Sequence, residues 1–247
     1  MENAKDLRLA VLIDADNVPH RLISGILEEV AKYGIPTFKR IYADWTKPHV
    51  AGWKSILLDH AITPVQQYSY TVGKNSSDSA LIIDAMDILY TGRVDGFCVV
   101  SSDSDFTKLA TRLREAGMKV FGMGEQKTPS AFRAACDKFI YIEILDQGQP
   151  SPKQIKLSDL RKKEVISKVD KSLVNLITSS INDIADENGW AFLGDLGNLL
   201  LKKRPDFDAR NYGFTKLLPL IKSLGNFEID ERESGRKNIK LVYVKVK

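Results

Sequence analysis

Short, wholly apolar runs alternate with stretches where apolar residues recur every three or four positions. Leu9–Ile13, Pro36–Tyr42, Ala61–Tyr68, Phe97–Ser101, Lys119–Met123 and Lys138–Ile142 read as strands. Between them, Pro19–Tyr33, Val50–His60, Asp78–Tyr90, Asp105–Ala116 and Ser130–Cys136 carry helical patterns. Continuous apolar strands separated by amphipathic helices predict a parallel sheet covered on both faces. The expected architecture over residues 1–147 is a three-layer α/β domain of the Rossmann-like kind.

This rhythm stops at "DQGQPSPKQIK", where Gly148, Pro150 and Pro152 can continue neither a helix nor a central strand. Residues 148–165 are expected to be a linker. Beyond it, Leu173, Leu176, Ile177, Ile181 and Ile184 return at helical spacing, with Gly189 as a stop. Further helices are expected over Asp195–Lys203, ending at Pro205, and over Tyr212–Leu224, where Pro219 should kink or end the helix. The tail reads as two strands around a Ser-Gly turn. Three helices followed by a hairpin suggest a small winged-helix (α+β) domain over residues 166–247.

Composition adds an asymmetry. The chain of 247 residues is 43% hydrophobic with a formal net charge of +4. Residues 1–148 hold 17 Lys/Arg and 19 Asp/Glu, whereas residues 149–247 hold 19 and 13. The second half is thus a candidate for binding a polyanion. Two cysteines exclude a disulfide framework, and Cys98 in "GFCVV" reads as a small buried hydrophobe. No apolar run is long enough for a membrane helix, and "MENAKDLR" has no apolar leader core. A cytoplasmic location is the default expectation.

The candidate chemistry lies in the aspartates. Asp14 directly follows the first strand, and Asp103 follows the fourth after two serines. Ligands of open α/β sheets bind beyond the carboxyl ends of the strands, where the strand order reverses. If the first and fourth strands are neighbours, Asp14 and Asp103 meet at such a crevice. On a wheel of about 100° per residue, Leu81, Ile82, Ala85, Met86, Ile88 and Leu89 all lie within about 80° of Asp78. Asp78 therefore points with the buried face of its helix. Asp84 and Asp87 lie about 120° and 180° away and read as solvated charges. Each acid taken singly also fits a helix start: Ser104 or Asp103 as a cap, Ser77 before Asp78, and Asp105 on the helix dipole. Three acids at sheet-end positions together favour a site.

Carboxylates about 4 Å apart repel by roughly 4 kcal/mol at an effective dielectric near 20. Such a cluster holds a proton or binds a cation. An all-oxygen donor set suits Mg²⁺ or Mn²⁺ rather than zinc, and such an ion supports phosphodiester hydrolysis. Tyr68, Tyr70 and Lys74 before Asp78, Lys39 and Arg40 in the second strand, and "YADWTKPH" after it are candidate substrate contacts. Asn17 is a turn or cap residue whose amide could orient a ligand. In the basic half, Lys202, Lys203, Arg204, Arg210, Lys216, Arg236 and Lys237 are the candidates for phosphate contact.

These motifs carry a resemblance. "LIDADNVP", "KNSSDSALIIDAM" and "VVSSDSDFTKLATRLREAGMKVFGMG" resemble the NYN domain family of the PIN-like nuclease superfamily, over roughly residues 8–142. The likeness implies a PIN-like fold, an RNA substrate and Mg²⁺ or Mn²⁺. It implies Asp14, Asp78 and Asp103 as metal-binding acids, with Asp105 and Asn17 supporting. Asp84 also matches the family pattern, against its place on the wheel. "SSDSD" departs from the family in lacking a Gly before the first Asp, which bears on the turn and not the chemistry. "ENGWAFLGDLGNLL" and "RPDFDARNYGFTKLLPLIKSLGNFEI" resemble the OST-HTH/LOTUS domain, over roughly residues 170–247. That likeness implies RNA binding and, in some members, a protein partner.

Three functions fit: a metal-dependent RNA endonuclease with a substrate-recruiting second domain; a non-catalytic RNA-binding or protein-docking regulator with a vestigial site; and a phosphatase of the haloacid-dehalogenase type. "DAD" after a strand mimics the nucleophile of the last, with Val18 at a compatible position, but "SSDSDF" fits it poorly. Retention of Asp14, Asp78 and Asp103 together favours the first over the second.

Overall fold

The computed structural model describes residues 6–68, 76–145, 166–233 and 240–247. The expected linker, 148–165, lies outside the described residues. The chain divides into two compact units, Met1–Gln149 and Pro150–Lys247.

The first unit is built on six strands: β1 (Arg8–Asp14), β2 (Ile35–Ala43), β3 (Thr63–Gln66), β4 (Gly96–Val100), β5 (Lys119–Gly124) and β6 (Lys138–Tyr141). Their order is β3-β2-β1-β4-β5-β6, and every pairing is parallel. Five helices accompany them: α1 (Ile23–Val30), α2 (Trp53–Asp59), α3 (Ser76–Tyr90), α4 (Thr107–Glu115) and α5 (Ser130–Ala135). This is the layered α/β domain of PIN-like type. β1 and β4 lie at the centre, and Leu9 through Ile13 and Phe97 through Val100 are completely buried. Apolar side chains on both faces of these strands explain their uninterrupted runs.

Successive strands run outward from β1 to β3, then the chain crosses through α3 to β4 and runs the other way. The order therefore reverses between β1 and β4, which are neighbours with Ile13 opposite Val100. Folds of this kind bind ligands beyond the carboxyl ends of the strands at such a reversal. β3 contains Pro64, opposite Ile41 of β2. A residue without an N–H is tolerated there because β3 is an edge strand. The helix expected over Pro19–Tyr33 is shorter: a 3₁₀ turn, His20–Leu22, leads into α1.

The second unit has α6 (Lys171–Ile184), β7 (Ala191–Phe192), α7 (Leu193–Lys203), α8 (Leu217–Leu224), β8 (Phe227–Glu233) and β9 (Lys240–Val246). Asp170 caps α6 by accepting from the Leu173 N–H at 2.9 Å. The sheet is antiparallel, in the order β7-β9-β8. Leu173, Ile177, Ile181, Leu196, Leu200, Leu220, Ile221 and Val244 form its core.

The third helix of this unit begins at Leu217, not Tyr212. A 3₁₀ turn over Ala209–Tyr212 and Gly213 at φ 83° intervene, and Lys216 is the extended residue before the helix. Pro219 thus falls in the first turn of α8, where an N–H has no intrahelical acceptor. It does not end the helix, which runs on to Leu224. No helix among the described residues is long and apolar enough to cross a membrane.

Candidate metal centre and nucleic-acid contacts

Asp14 is the last residue of β1 and is 1% exposed. Its Oδ2 accepts from Asn17 Nδ2 at 2.6 Å and Ser101 Oγ at 2.8 Å, and its Oδ1 from the Asp16 N–H at 3.1 Å. Burial pushes the Asp14 carboxyl upward, and these donors oppose the shift. The Asn17 amide is thus turned onto Asp14. Ser101 reaches Asp14 because β4 adjoins β1. Its backbone is closely backed by Gly124 of β5, where a Cβ would lie 2.4 Å from the Ser101 carbonyl oxygen.

The Asp103 N–H donates to Ser101 Oγ at 3.1 Å. Asp103 also caps the 3₁₀ turn Ser104–Phe106, its Oδ1 accepting from the Asp105 N–H at 2.9 Å. It is therefore a cap and a member of the acidic cluster at once. Both acids sit where the chain leaves β4, and buried Phe106 anchors the turn that holds them.

Asp78 enters from the first turn of α3. Leu81, Ala85 and Ile88 bury the same helix face, and Asp78 is itself only 7% exposed. Burial, followed by the charges of Asp14, Asp103, Asp105 and Asp16, pushes its carboxyl up to about 7. One ligand oxygen from each of Asp78, Asp103 and Asp105 lies within 4.8 Å of the others. The close set thus differs from the expected Asp14, Asp78 and Asp103. Asp14 stands beside it, close enough to raise Asp78 but committed to Ser101 and Asn17.

These residues fit a hard divalent cation. The converging donors are all carboxylates, and a cation would relieve the mutual repulsion that adds to burial in raising Asp78.

Asp84 is not a solvated charge, as its angle on the helical wheel suggests. It is half-buried and bonded to the Arg40 guanidinium and the Tyr42 hydroxyl of β2. The wheel measures direction around one helix and cannot register a neighbouring strand that supplies a cation. This pairing also removes Arg40 from the free phosphate-binding cations. Lys39, on the opposite face of β2, donates to the His60 carbonyl at 2.5 Å. Tyr70 and Lys74 lie outside the described residues.

Asp16 of "LIDADNVP" and His49, which ends the candidate contact segment "YADWTKPH", pair with one another, a contact that the sequence did not single out. Asp16 Oδ1 contacts His49 Nε2 at 2.7 Å, and its Oδ2 accepts from Ser77 Oγ at 3.5 Å. The contact spans 33 residues, and no local spacing signals it.

In the second unit, Lys216 is exposed and so is Lys202. Lys203 contacts Asp183 at 2.5 Å, Arg204 contacts Asp206 at 3.2 Å and Arg210 contacts Asp208 at 2.7 Å. Arg236 and Lys237 lie outside the described residues. A further cationic group appears on the sheet: the Arg232 guanidinium lies 4.1 Å from the Tyr243 ring centre and 5.6 Å from that of Trp190.

No curated protein matches the chain. Among solved structures it is similar to a crystal structure of a protein of unknown function from Vibrio parahaemolyticus, at 20% identity, 57% of this chain, 96% of that chain and a TM-score of 0.48. It is also similar to a solution NMR structure of an uncharacterized protein from Nitrosomonas europaea, at 31% identity, 41% of this chain, 91% of that chain and a TM-score of 0.31. The OST-HTH/LOTUS domain model matches residues 164–239, and the NYN domain model matches residues 8–143. With that match over more than half its length, the chain belongs to the NYN domain family, with an OST-HTH/LOTUS domain following.

Proposed function

We propose that this protein is a divalent-cation-dependent ribonuclease that hydrolyses phosphodiester bonds of RNA, recruited by the second unit. The observation that carries the reading is the convergence of Asp78, Asp103 and Asp105 within 4.8 Å, beside buried Asp14. The acids lie at the strand-order reversal of a fold whose family suggests a nuclease. Two free, buried cysteines suit a reducing cytoplasm.

In this reading Asp78, Asp103 and Asp105 hold Mg²⁺ or Mn²⁺, with Asp14 completing the acidic wall. Such an ion lowers the pKa of a bound water and stabilises charge on a phosphate. Asn17 and Ser101 fix Asp14 and oppose the upward shift that burial gives its carboxyl. Asp103 is set by its bond to the Asp105 N–H, and Asp78 by the buried face of α3. The second unit supplies cations for phosphate contact, in a weakly sequence-specific mode. The domain division proposed is 1–147 for the nuclease unit, 148–165 for the linker and 166–247 for the RNA-binding unit.

The test incubates the protein with short single-stranded and structured RNAs in Mg²⁺, Mn²⁺ or EDTA. Cleavage is expected with a divalent ion, and loss of it with EDTA, Asp14→Asn or Asp103→Asn. RNA left intact in every ion, or cleavage unchanged by both substitutions, overturns the reading.

A further inference from the structure

Asp16 and His49 form a pair at the edge of the acidic cluster whose geometry extends the ribonuclease reading and rests on it. Asp16 is tied to both acid-bearing elements. Its N–H donates to Asp14 Oδ1 at 3.1 Å, and its Oδ2 accepts from Ser77 Oγ, one residue before Asp78, at 3.5 Å. Its charge contributes to raising Asp78. Asp16 therefore borders the space in which a phosphate would meet the acids.

His49 reaches this border from the loop after β2. It lies in a 3₁₀ turn, Pro48–Val50, whose Val50 is 2% exposed and pins the turn to the core. Its Nε2 contacts Asp16 Oδ1 at 2.7 Å while its side chain stays 54% exposed. With Nε2 facing the carboxylate, Nδ1 is the ring atom left for a substrate. The chain has two other histidines. His20 packs edge-on against Trp53, and His60 contacts Ser24 at 3.3 Å at the end of α2. Of the three, His49 is the one whose recorded partner is a carboxylate in the loop after β1. A carboxylate that fixes one ring nitrogen and directs the other outward is a recurring arrangement for proton transfer.

Phosphodiester hydrolysis needs such a group. The leaving ribose oxygen departs poorly as an alkoxide, and the acids around it serve as oxygen donors to a cation. We propose that His49, oriented by Asp16, gives its Nδ1 proton to the leaving oxygen. The water oxygen forms the new P–O bond and releases a proton to solvent. The P–O bond to ribose breaks, and its electron pair stays on the leaving oxygen, which takes the proton from His49. Bulk water reprotonates the ring.

The test uses two oligoribonucleotides that differ in one atom. The second has sulfur in place of the leaving oxygen, identified from the product termini. Sulfur departs as a thiolate and needs no proton. His49→Ala and His49→Gln are expected to lower kcat on the oxygen substrate by about 100-fold or more, the usual scale of general acid catalysis. On the sulfur substrate the same variants should stay within about threefold of the unaltered protein. Asp16→Asn should lose less on oxygen and recover on sulfur. If the unaltered protein cuts RNA and the His49 variants lose nothing on oxygen, or lose equally on both substrates, His49 does not supply the proton and the ribonuclease reading stands. If the unaltered protein cuts neither substrate in Mg²⁺ or Mn²⁺, the ribonuclease reading fails and this assignment falls with it.

Discussion

The Ser101 hydroxyl at the end of β4 donates to Asp14 Oδ2 at the end of β1, at 2.8 Å, with both residues buried. Ser101 Oγ in turn accepts from the Asp103 N–H. One side chain therefore joins the two strand ends that carry the acids. Ser101→Ala removes one of the three donors to the buried Asp14 carboxylate and the acceptor of the Asp103 N–H, a loss worth about 1–3 kcal/mol. Thermal unfolding in EDTA should show a lowered Tm of that scale. A Ser101→Thr variant that retains the hydroxyl should lose less.

Asp78 makes the cation-free protein sensitive to pH. Its carboxyl is raised from the usual carboxylate value to about 7 in the folded chain. The folded state therefore holds this proton more tightly than the unfolded state. Its stabilising contribution is full in acid and declines as pH rises from about 4 through 7. In EDTA, Asp78→Asn should melt above the unaltered protein at pH 8, and the gap should narrow steadily as pH falls towards about 4. Adding Mg²⁺ or Mn²⁺ at pH 8 should raise the Tm of the unaltered protein and not that of the variant.

Asp84 and Asp103 should separate by phenotype. Asp84 is tied to Arg40 and Tyr42 of β2, so it fastens α3 to the sheet. Asp84→Ala leaves a half-buried guanidinium unpaired, and Arg40→Met leaves a carboxylate unpaired. Either should cost about 1–3 kcal/mol of stability while cleavage below the melting range persists. Asp103→Asn should do the reverse: cleavage lost, Tm nearly kept. Denaturant unfolding beside a single-turnover assay distinguishes the two. Loss of cleavage in a fully folded Asp84 variant would place Asp84 in the metal centre.

Lys216 stands exposed before α8, whereas Arg204 and Arg210 are each paired with a nearby carboxylate. In an Asp103→Asn background, Lys216→Ala should weaken RNA binding evenly across sequences. It should also reduce the slope of log affinity against log salt by about one. Titrations from low to moderate salt check this. An unchanged slope removes Lys216 from the interface.

What the sequence disclosed depended on the range of the interaction. β1 and β4 were legible because central parallel strands must be apolar on both faces. Asp78 was legible because its helix wheel places it with Leu81 and Ala85. β7 was not, since two residues form no alternating pattern. The α8 start was misplaced because Gly213 and an extended Lys216 interrupt an otherwise helical apolar spacing. The partners that refine the site escaped for one shared reason. Arg40 with Asp84, His49 with Asp16, and Ser101 with Asp14 meet across elements, and periodicity within an element carries no record of them.

The strand order has a further consequence for how the molecule comes into being. Asp14 and Ser101 are 87 residues apart and become neighbours only when β4 docks against β1. Before that, β1 and β2 can pair with no acidic centre formed. Closing so long a loop is among the slower steps available to a folding chain. Cation affinity should therefore be the last property to return on refolding, behind the recovery of helix content. A bound ion would act as a latch on the finished sheet and not as a seed for it.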